Sequence, residues 1–281
     1  MKKILYATDY SQNSISALKL AHTLAKKFEA NLMVMHVFDI PILLASPVSL
    51  TYLKKEKRLF VEHRAKLKSF CAEKLGDSFE KNAITFLVDE NGSVPDGILE
   101  KAYILDVDLI VVGTEGTSQI REFILGSTPK ALIRKSPYPV LAVPAKSVET
   151  DLKTMVYATD FEQADIFAIK RLVKIARKLD AEIRVIHITT QKEYAGKDQM
   201  EWFKEILQEK VSYKKLKFDF IFSDNVFEKL VWYLENSEAD LLAMLERKES
   251  TVYQRYFQTD MVKKMIKTID IPLLSYNIAA L

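Results

Sequence analysis

The tetrapeptide Tyr-Ala-Thr-Asp occurs twice in this chain, at residues 6–9 and again at 157–160. Held at that offset of 151 positions without a gap, residues 2–37 give 14 identities in 36. They are Lys2, Tyr6, Ala7, Thr8, Asp9, Gln12, Ile15, Ala17, Lys19, Ala25, Lys27, Ala30, Val34 and His36. Ordinary residue frequencies would give about two by chance. Two copies of one unit must therefore share the 281 residues, and each copy is the size of one domain. Toward the ends of the copies the offset falls to 132–133. Asp108-Leu109 then matches Asp240-Leu241, and Pro139-Val140-Leu141 matches Pro272-Leu273-Leu274. The second copy is shorter by roughly 18 residues, and the missing piece is expected after the second strand, where the first copy carries an uncharged segment at 40–53. The boundary falls at residues 146–153, a short polar stretch without a Gly/Ser tract. This gives domains at 1–147 and 152–281, packed together rather than tethered.

Within each copy apolar runs alternate with amphipathic stretches. In the first, residues 3–7, 31–37, 83–88, 109–112 and 140–143 read as strands. Residues 14–28, 54–75, 94–103 and 128–134 read as helices, with Ile15, Leu18, Ala21, Leu24 and Ala25 on one face of the first. Unbroken apolar runs suit strands buried on both faces. Five strands alternating with four helices predict an α/β fold of two tandem doubly wound domains, each a parallel sheet with helices on both faces.

Composition removes several function classes. One cysteine, Cys71, excludes an internal disulfide and a cysteine-based metal site, and fits a reducing, cytoplasmic setting. The N-terminal stretch reaches Asp9 after five uncharged residues, too short for a signal-peptide core, and segment 40–53 is too short to span a bilayer. That segment reads as a surface flap or interdomain packing element. Residues 1–147 carry 20 basic and 16 acidic side chains, and residues 148–281 carry 21 and 22. Neither is the basic footprint of a nucleic-acid binder.

The seven glycines are few and unevenly placed. Gly76, Gly92, Gly97, Gly113, Gly116 and Gly126 lie in the first copy and only Gly196 in the second. Val112-Gly113-Thr114-Glu115-Gly116 follows the fourth strand, and Gly126-Ser127-Thr128 opens the next helix, giving G-x2-G-x9-G-S. Bare backbone there permits close approach and positive φ angles. Successive N–H groups can form an anion nest, and a helix N-terminus suits phosphate. Open α/β sheets bind ligands beyond the carboxyl ends of their strands. The first strand ends on that edge, where Asp9 can accept hydrogen bonds from a ribose or an adenine amine. The backbone of Val37 can meet a base edge there.

These residues together resemble a tandem universal stress protein. The resemblance covers both halves. It rests on the opening strand with its Thr-Asp, on His36-Val37, and on G-x2-G-x9-G-S followed by a helix and Pro-Val-Leu-Ala-Val. It implies five parallel strands ordered 3-2-1-4-5, adenine-nucleotide binding, and pairing of two domains through their last strands. Carried over by position, Ala7, Thr8, Asp9 and Val37 hold the adenosine. Gly113, Gly116, Gly126, Ser127 and Thr128 hold ribose and phosphates, with Val112 and Thr114 beside them. The implied cofactor is ATP, with or without magnesium. One departure is Glu115, where the family often has a basic residue; its charge calls for a metal ion or Arg121 to offset it.

The second copy departs further. Its glycine positions become Leu245 or Glu246, then Lys248 or Glu249, and Ser127 becomes Thr259 or Asp260. It reads as a non-binding copy. The expected function is thus a stress-response, ATP-binding regulatory protein with one site. The partners are an adenine nucleotide and an unidentified protein, without nucleic acid or membrane. The two copies form an intramolecular pseudo-dimer, and a further homodimer stays open. The alternatives are a slow ATP hydrolase or nucleotidyl/phosphoryl transferase, and a nucleotide-free scaffold. No catalytic base has a clear role, and no G-x-x-x-x-G-K-[ST] lysine is present. A flavodoxin-like flavin binder would need its phosphate loop after the first strand, where Asp9-Tyr10-Ser11-Gln12-Asn13 has no glycine.

Plainer roles stand beside these. Asp9 and Asp160 can be helix caps. His36 and His187 read as packed, hydrogen-bonded residues, His22 and His63 as isolated ones, and Cys71 as a buried thiol. The basic run 54–58 reads as a solvated helix face.

Overall fold

The computed structural model describes residues 1–40, 50–81, 84–114, 126–147, 151–189, 196–246 and 260–278. The first half runs β1 (Lys3–Ala7), α1 (Ile15–Phe28), β2 (Asn31–Phe38), α2 (Leu50–Leu75), β3 (Ile84–Glu90), α3 (Val94–Leu105), β4 (Leu109–Gly113), α4 (Ser127–Lys135) and β5 (Val140–Val143). The second runs β6 (Thr154–Ala158), α5 (Gln163–Leu179), β7 (Glu182–Thr189), α6 (Gly196–Lys210), β8 (Leu216–Phe222), α7 (Val226–Asn236), β9 (Leu241–Glu246), α8 (Asp260–Thr268) and β10 (Leu273–Asn277).

The ten strands form one sheet, ordered β3-β2-β1-β4-β5-β10-β9-β6-β7-β8. Read as two parallel sheets from the sequence, they run on as a single mixed one. Pairs within each half are parallel, and the central β5–β10 pair is antiparallel, with Leu273, Leu274 and Ser275 opposite Ala142, Leu141 and Val140. Every strand of the second half therefore points opposite to those of the first. The carboxyl ends of the two halves open on opposite edges of the sheet.

Two apolar layers sandwich the sheet. One gathers Tyr6, Val34 and Val111 with Leu18 and Leu24 of α1, Leu67 of α2, Leu172 of α5 and Phe203 of α6. The other gathers Leu5, Met35 and Ile110 with Ile98 of α3, Leu132 of α4, Leu230 of α7 and Met265 of α8. Each layer draws on both halves. Alternate residues of one strand serve opposite layers, which is why these strands read as unbroken apolar runs. Burial of each such leucine side chain contributes about 2 kcal/mol.

The duplication extends to single backbone angles. Tyr10 and Phe161 are left-handed at φ 64° and 61°, and Glu29 and Asp180 end α1 and α5 at 54° and 55°. Asp108 accepts the backbone N–H groups of Lys2 and Lys3, and Asp240 those of Lys153 and Thr154. The shortening of the second copy, expected in the uncharged segment, lies largely in the helix itself: α2 has 26 residues and α6 has 15. The remainder of segment 40–53 before Leu50, apart from Ile40, lies outside the described residues.

Candidate functional site

The register of β1, β2 and β4 collects the expected residues on one sheet edge. Ala7, the last residue of β1, sits opposite both Met35 and Val112. Beyond it the chain leaves the sheet, while β2 continues beside β3 as far as Phe38. In a parallel ladder one residue's N–H and C=O point to the same neighbour, and successive residues alternate. The Met35 carbonyl accepts the Thr8 N–H, and the Phe38 carbonyl accepts from Asn91 on the β3 side. Val37 thus presents its backbone groups, as Met35 does, to the side where β1 has ended. Val37 is otherwise buried, and α3 presses on it. A side chain at Gly97 would stand 3.2 Å from Val37 Cγ1 and 2.9 Å from Asn91 Cβ. Gly97 was not singled out by sequence; its signal was a glycine in the first turn of a helix.

Thr8 and Asp9 have partners of their own within the chain. The Thr8 hydroxyl lies 3.0 Å from Ser14 Oγ and accepts the Tyr10 N–H, and the Thr8 carbonyl accepts from His36 Nδ1 at 2.8 Å. A carbonyl can only accept, so Nδ1 carries the proton in this histidine. The exposed Asp9 carboxylate accepts the Ser11 N–H at 3.0 Å, closing a local turn. The capping reading is corrected for both aspartates. Ser14 holds the N-cap place of α1, and α5 is capped by Glu162 with Asp165, not by Asp160. Ser14 is a hub that sequence reading missed: its carbonyl accepts the Tyr6 hydroxyl, and its own hydroxyl donates to the Ser11 carbonyl.

At the exit of β4, Gly113 pairs with Val143, and Thr114 is buried with its N–H on the Val143 carbonyl. A side chain on Gly113 would stand 3.2 Å from the Asn13 carbonyl oxygen and 3.3 Å from Ser14 Cα. The bare backbone here lets the short 3-10 turn before α1 approach β4. Neither Gly113 nor Gly126 has positive φ, so the second expected use of these glycines does not apply to them. Gly126 donates its N–H to the Thr114 carbonyl at 2.9 Å. That bond closes a neck around residues 115–125, and Gly116, with Glu115 and Arg121, lies outside the described residues. Gly126 is the N-cap of α4, without a side-chain cap bond, and Ser127 and Thr128 form its first turn. The first N–H groups of a helix have no partner within it, so they suit an anion.

Register also fixes the correspondence with the second half. Ala7 and Tyr6 face Val112 and Val111, and Tyr157 faces Ala243, so Leu245 stands where Gly113 does and Glu246 where Thr114 does. Leu245 and Glu246 are buried. Helix α8 opens on Asp260 at the place of Ser127. Below this edge Asp165 replaces Ser14. It is fully buried and accepts from the Tyr157 and Thr159 hydroxyls and the N–H groups of Asp160 and Glu162.

An unexpected cluster flanks the Asp9 turn. The Tyr10 ring lies tilted at 4.3 Å from His36, which stacks at 4.7 Å on His63 of α2, and His63 stacks at 4.9 Å on Phe38. Lys66 Nζ stands 4.1 Å over the Tyr10 ring. His63, read as isolated, is the centre of this stack. Burial pushes the imidazoles of His36 and His63 below their ordinary range. Cys71 is buried, and burial pushes its thiol up to about 12. Among the described residues no helix is long and apolar enough to cross a membrane, and no group of three His, Cys, Asp or Glu could hold a metal ion.

The family model described as the universal stress protein family matches residues 1–144. A universal stress protein of Methanocaldococcus jannaschii is 30% identical over 142 residues, 50% of this chain and 81% of its own length. A relative bearing the same family name in Staphylococcus saprophyticus is 32% identical over 163 residues, 57% of this chain and 94% of its own. In shape, the crystal structure of a universal stress protein from Archaeoglobus fulgidus matches 98% of both chains with a TM-score of 0.72. At 16% identity that likeness is one of fold alone.

Proposed function

We propose a function from one premise: the chain belongs to the universal stress protein family. It is a regulatory protein that binds one adenine nucleotide, ATP, in its first half. The observation that carries this reading is the contrast between two helix starts at equivalent places. Helix α4 opens on Gly126-Ser127 with no side-chain cap, and α8 opens on the acidic Asp260. A helix N-terminus attracts negative charge. The first half leaves that position for a phosphate, whereas the sequence of the second begins its helix with an aspartate.

The rest of the edge supports the assignment. Ala7, Val112 and the backbone of Val37 would form the walls for adenine, with Asp9 at the ribose. The Thr114 carbonyl and the Gly126 N–H, joined at 2.9 Å, would stand beside the phosphates. Gly113 serves by letting the 3-10 turn approach β4, so that Thr8 and Asp9 reach the edge. Magnesium, where it accompanies ATP, would offset the charge of Glu115. The domains at 1–147 and 152–281 then act as a binding unit and a supporting one.

Equilibrium dialysis of nucleotide-free protein with labelled ATP tests the reading. One mole bound per chain is expected, lost in Gly126→Leu. Two moles per chain, or none, would sink it. The enzyme reading separates on product: phosphate release that survives repurification and vanishes in Gly126→Leu would favour a slow hydrolase.

A further inference from the structure

The ring cluster beside the Asp9 turn has a built-in control, because the second half repeats part of it. His187 Nδ1 donates to the Thr159 carbonyl at 2.7 Å, as His36 does to Thr8 at 2.8 Å. Phe161 lies tilted against His187 at 4.2 Å, as Tyr10 does against His36 at 4.3 Å. The helix above repeats one ring and adds others. Phe203 of α6 lies 5.2 Å from Phe161, as Phe70 of α2 lies 5.9 Å from Tyr10. In the first half α2 adds a second imidazole, His63, and the ammonium of Lys66. A second titrating imidazole is thus present in the half with the candidate site, whereas the second half has no histidine besides His187.

We propose that His36 and His63 form a proton-sensitive latch, which seats α2 on the sheet and holds the Asp9 turn only while both rings are neutral. The contacts set out the mechanism. Two imidazoles at 4.7 Å can stack when neutral, whereas two imidazolium ions at that distance repel. Among the described residues, these charged groups act on them. Lys66 on α2 opposes a proton on either ring, Asp9 from the β1 turn favours one on His36, and Glu62 on α2 favours one on His63. Glu90 ends β3 opposite Phe38. Tyr10, with its hydroxyl 3.4 Å from His63 Nδ1 and 3.3 Å from the His63 carbonyl, ties the turn to the helix. Tyr10 is also the left-handed residue that directs the chain after Asp9. A bulky residue in that conformation costs about 1 kcal/mol and persists only where its surroundings hold it.

The direction follows from linkage. Both rings lie below the ordinary imidazole value of about 6.5, so the unlatched state binds protons more tightly than the latched one. The latch is complete above that value and is lost as pH falls from it through the lowered values of the seated rings. As a regulatory device this rests on the nucleotide reading for its consequence, but not for its existence.

Two measurements on the full chain keep the two apart. Proton NMR of the histidine rings, without nucleotide, should show His36 and His63 titrating below about 6.5, with amide exchange in α2 rising in the same window. His63→Phe, which keeps an aromatic ring without its titration, should abolish that pH dependence; His63→Leu serves if the first packs poorly. ATP affinity of the wild type should fall by about threefold to tenfold between about pH 7.5 and pH 5.5 relative to His63→Phe, which removes the nucleotide's own titration from the comparison. Unshifted titration of His63, or equal exchange profiles in wild type and His63→Phe, would overturn the latch. Absence of ATP binding at every pH would overturn the nucleotide site while leaving the ring titration to be judged alone.

Discussion

Asp165 shows how one side chain can take over a task that Ser14 performs with its backbone. In the first half the Tyr6 hydroxyl bonds to the Ser14 carbonyl, and in the second the Tyr157 hydroxyl bonds to the Asp165 carboxylate. Four donors converge on that fully buried carboxylate, so its removal strands all four. Asp165→Ala is expected to destabilise the chain by about 3 kcal/mol or more, and Asp165→Ser by less, because serine retains one acceptor. Urea denaturation of the two variants checks the order. Sequence reading paired Asp9 with Asp160 but passed over the 14/165 position, where serine faces aspartate. Identity marks what two copies share; here the exchange itself carries the chemistry. His63 escaped for a different reason. Its partners His36, Phe38 and Tyr10 lie 25 or more positions away, and only the crossover from β2 through α2 brings them together.

At the scale of elements, the scarcity of glycine has a visible effect on helix ends. Glu29, Asp106 and Asp180 stop α1, α3 and α5 in left-handed conformations that glycine adopts without strain. Asp106→Gly, at φ 48°, is expected to stabilise the chain by about 1 kcal/mol, read as a raised urea midpoint. Element identity was legible where strands are apolar runs, as in β1, β4 and β5, and less so in β7 and β8, which carry Arg184, Lys217 and Asp219 within them. Boundaries were less so. The start of α2 at Leu50 was missed because its first turn is uncharged and lacks the acidic residues that usually mark a helix start. The glycine motif was legible as a loop at a sheet edge. Its division of labour was not, because spacing cannot tell whether a bare Cα faces a ligand or, as at Gly113, another stretch of backbone.

At the scale of the molecule, β5 is the joint. Val140, Leu141, Ala142 and Val143 are all buried, and one side of the strand is covered only by β10. An open apolar edge invites pairing with another chain. Residues 1–147 prepared alone are therefore expected to self-associate through β5 rather than remain monomeric, and the full chain should melt in one cooperative step. Sedimentation velocity of the fragment and calorimetry of the whole check both. A monomeric, folded fragment would mean that the shared layers contribute little.

The antiparallel seam between β5 and β10 has a consequence for recognition. It relates the halves by an approximate two-fold rotation, so a body built from equal copies would offer two interchangeable ends. Here the ends differ, with Gly113, Gly126 and Ser127 at one and Leu245 and Asp260 at the other. The duplication has become a vector. A partner that reads the glycine-bearing end has one orientation in which to dock, and finds one such end on each chain.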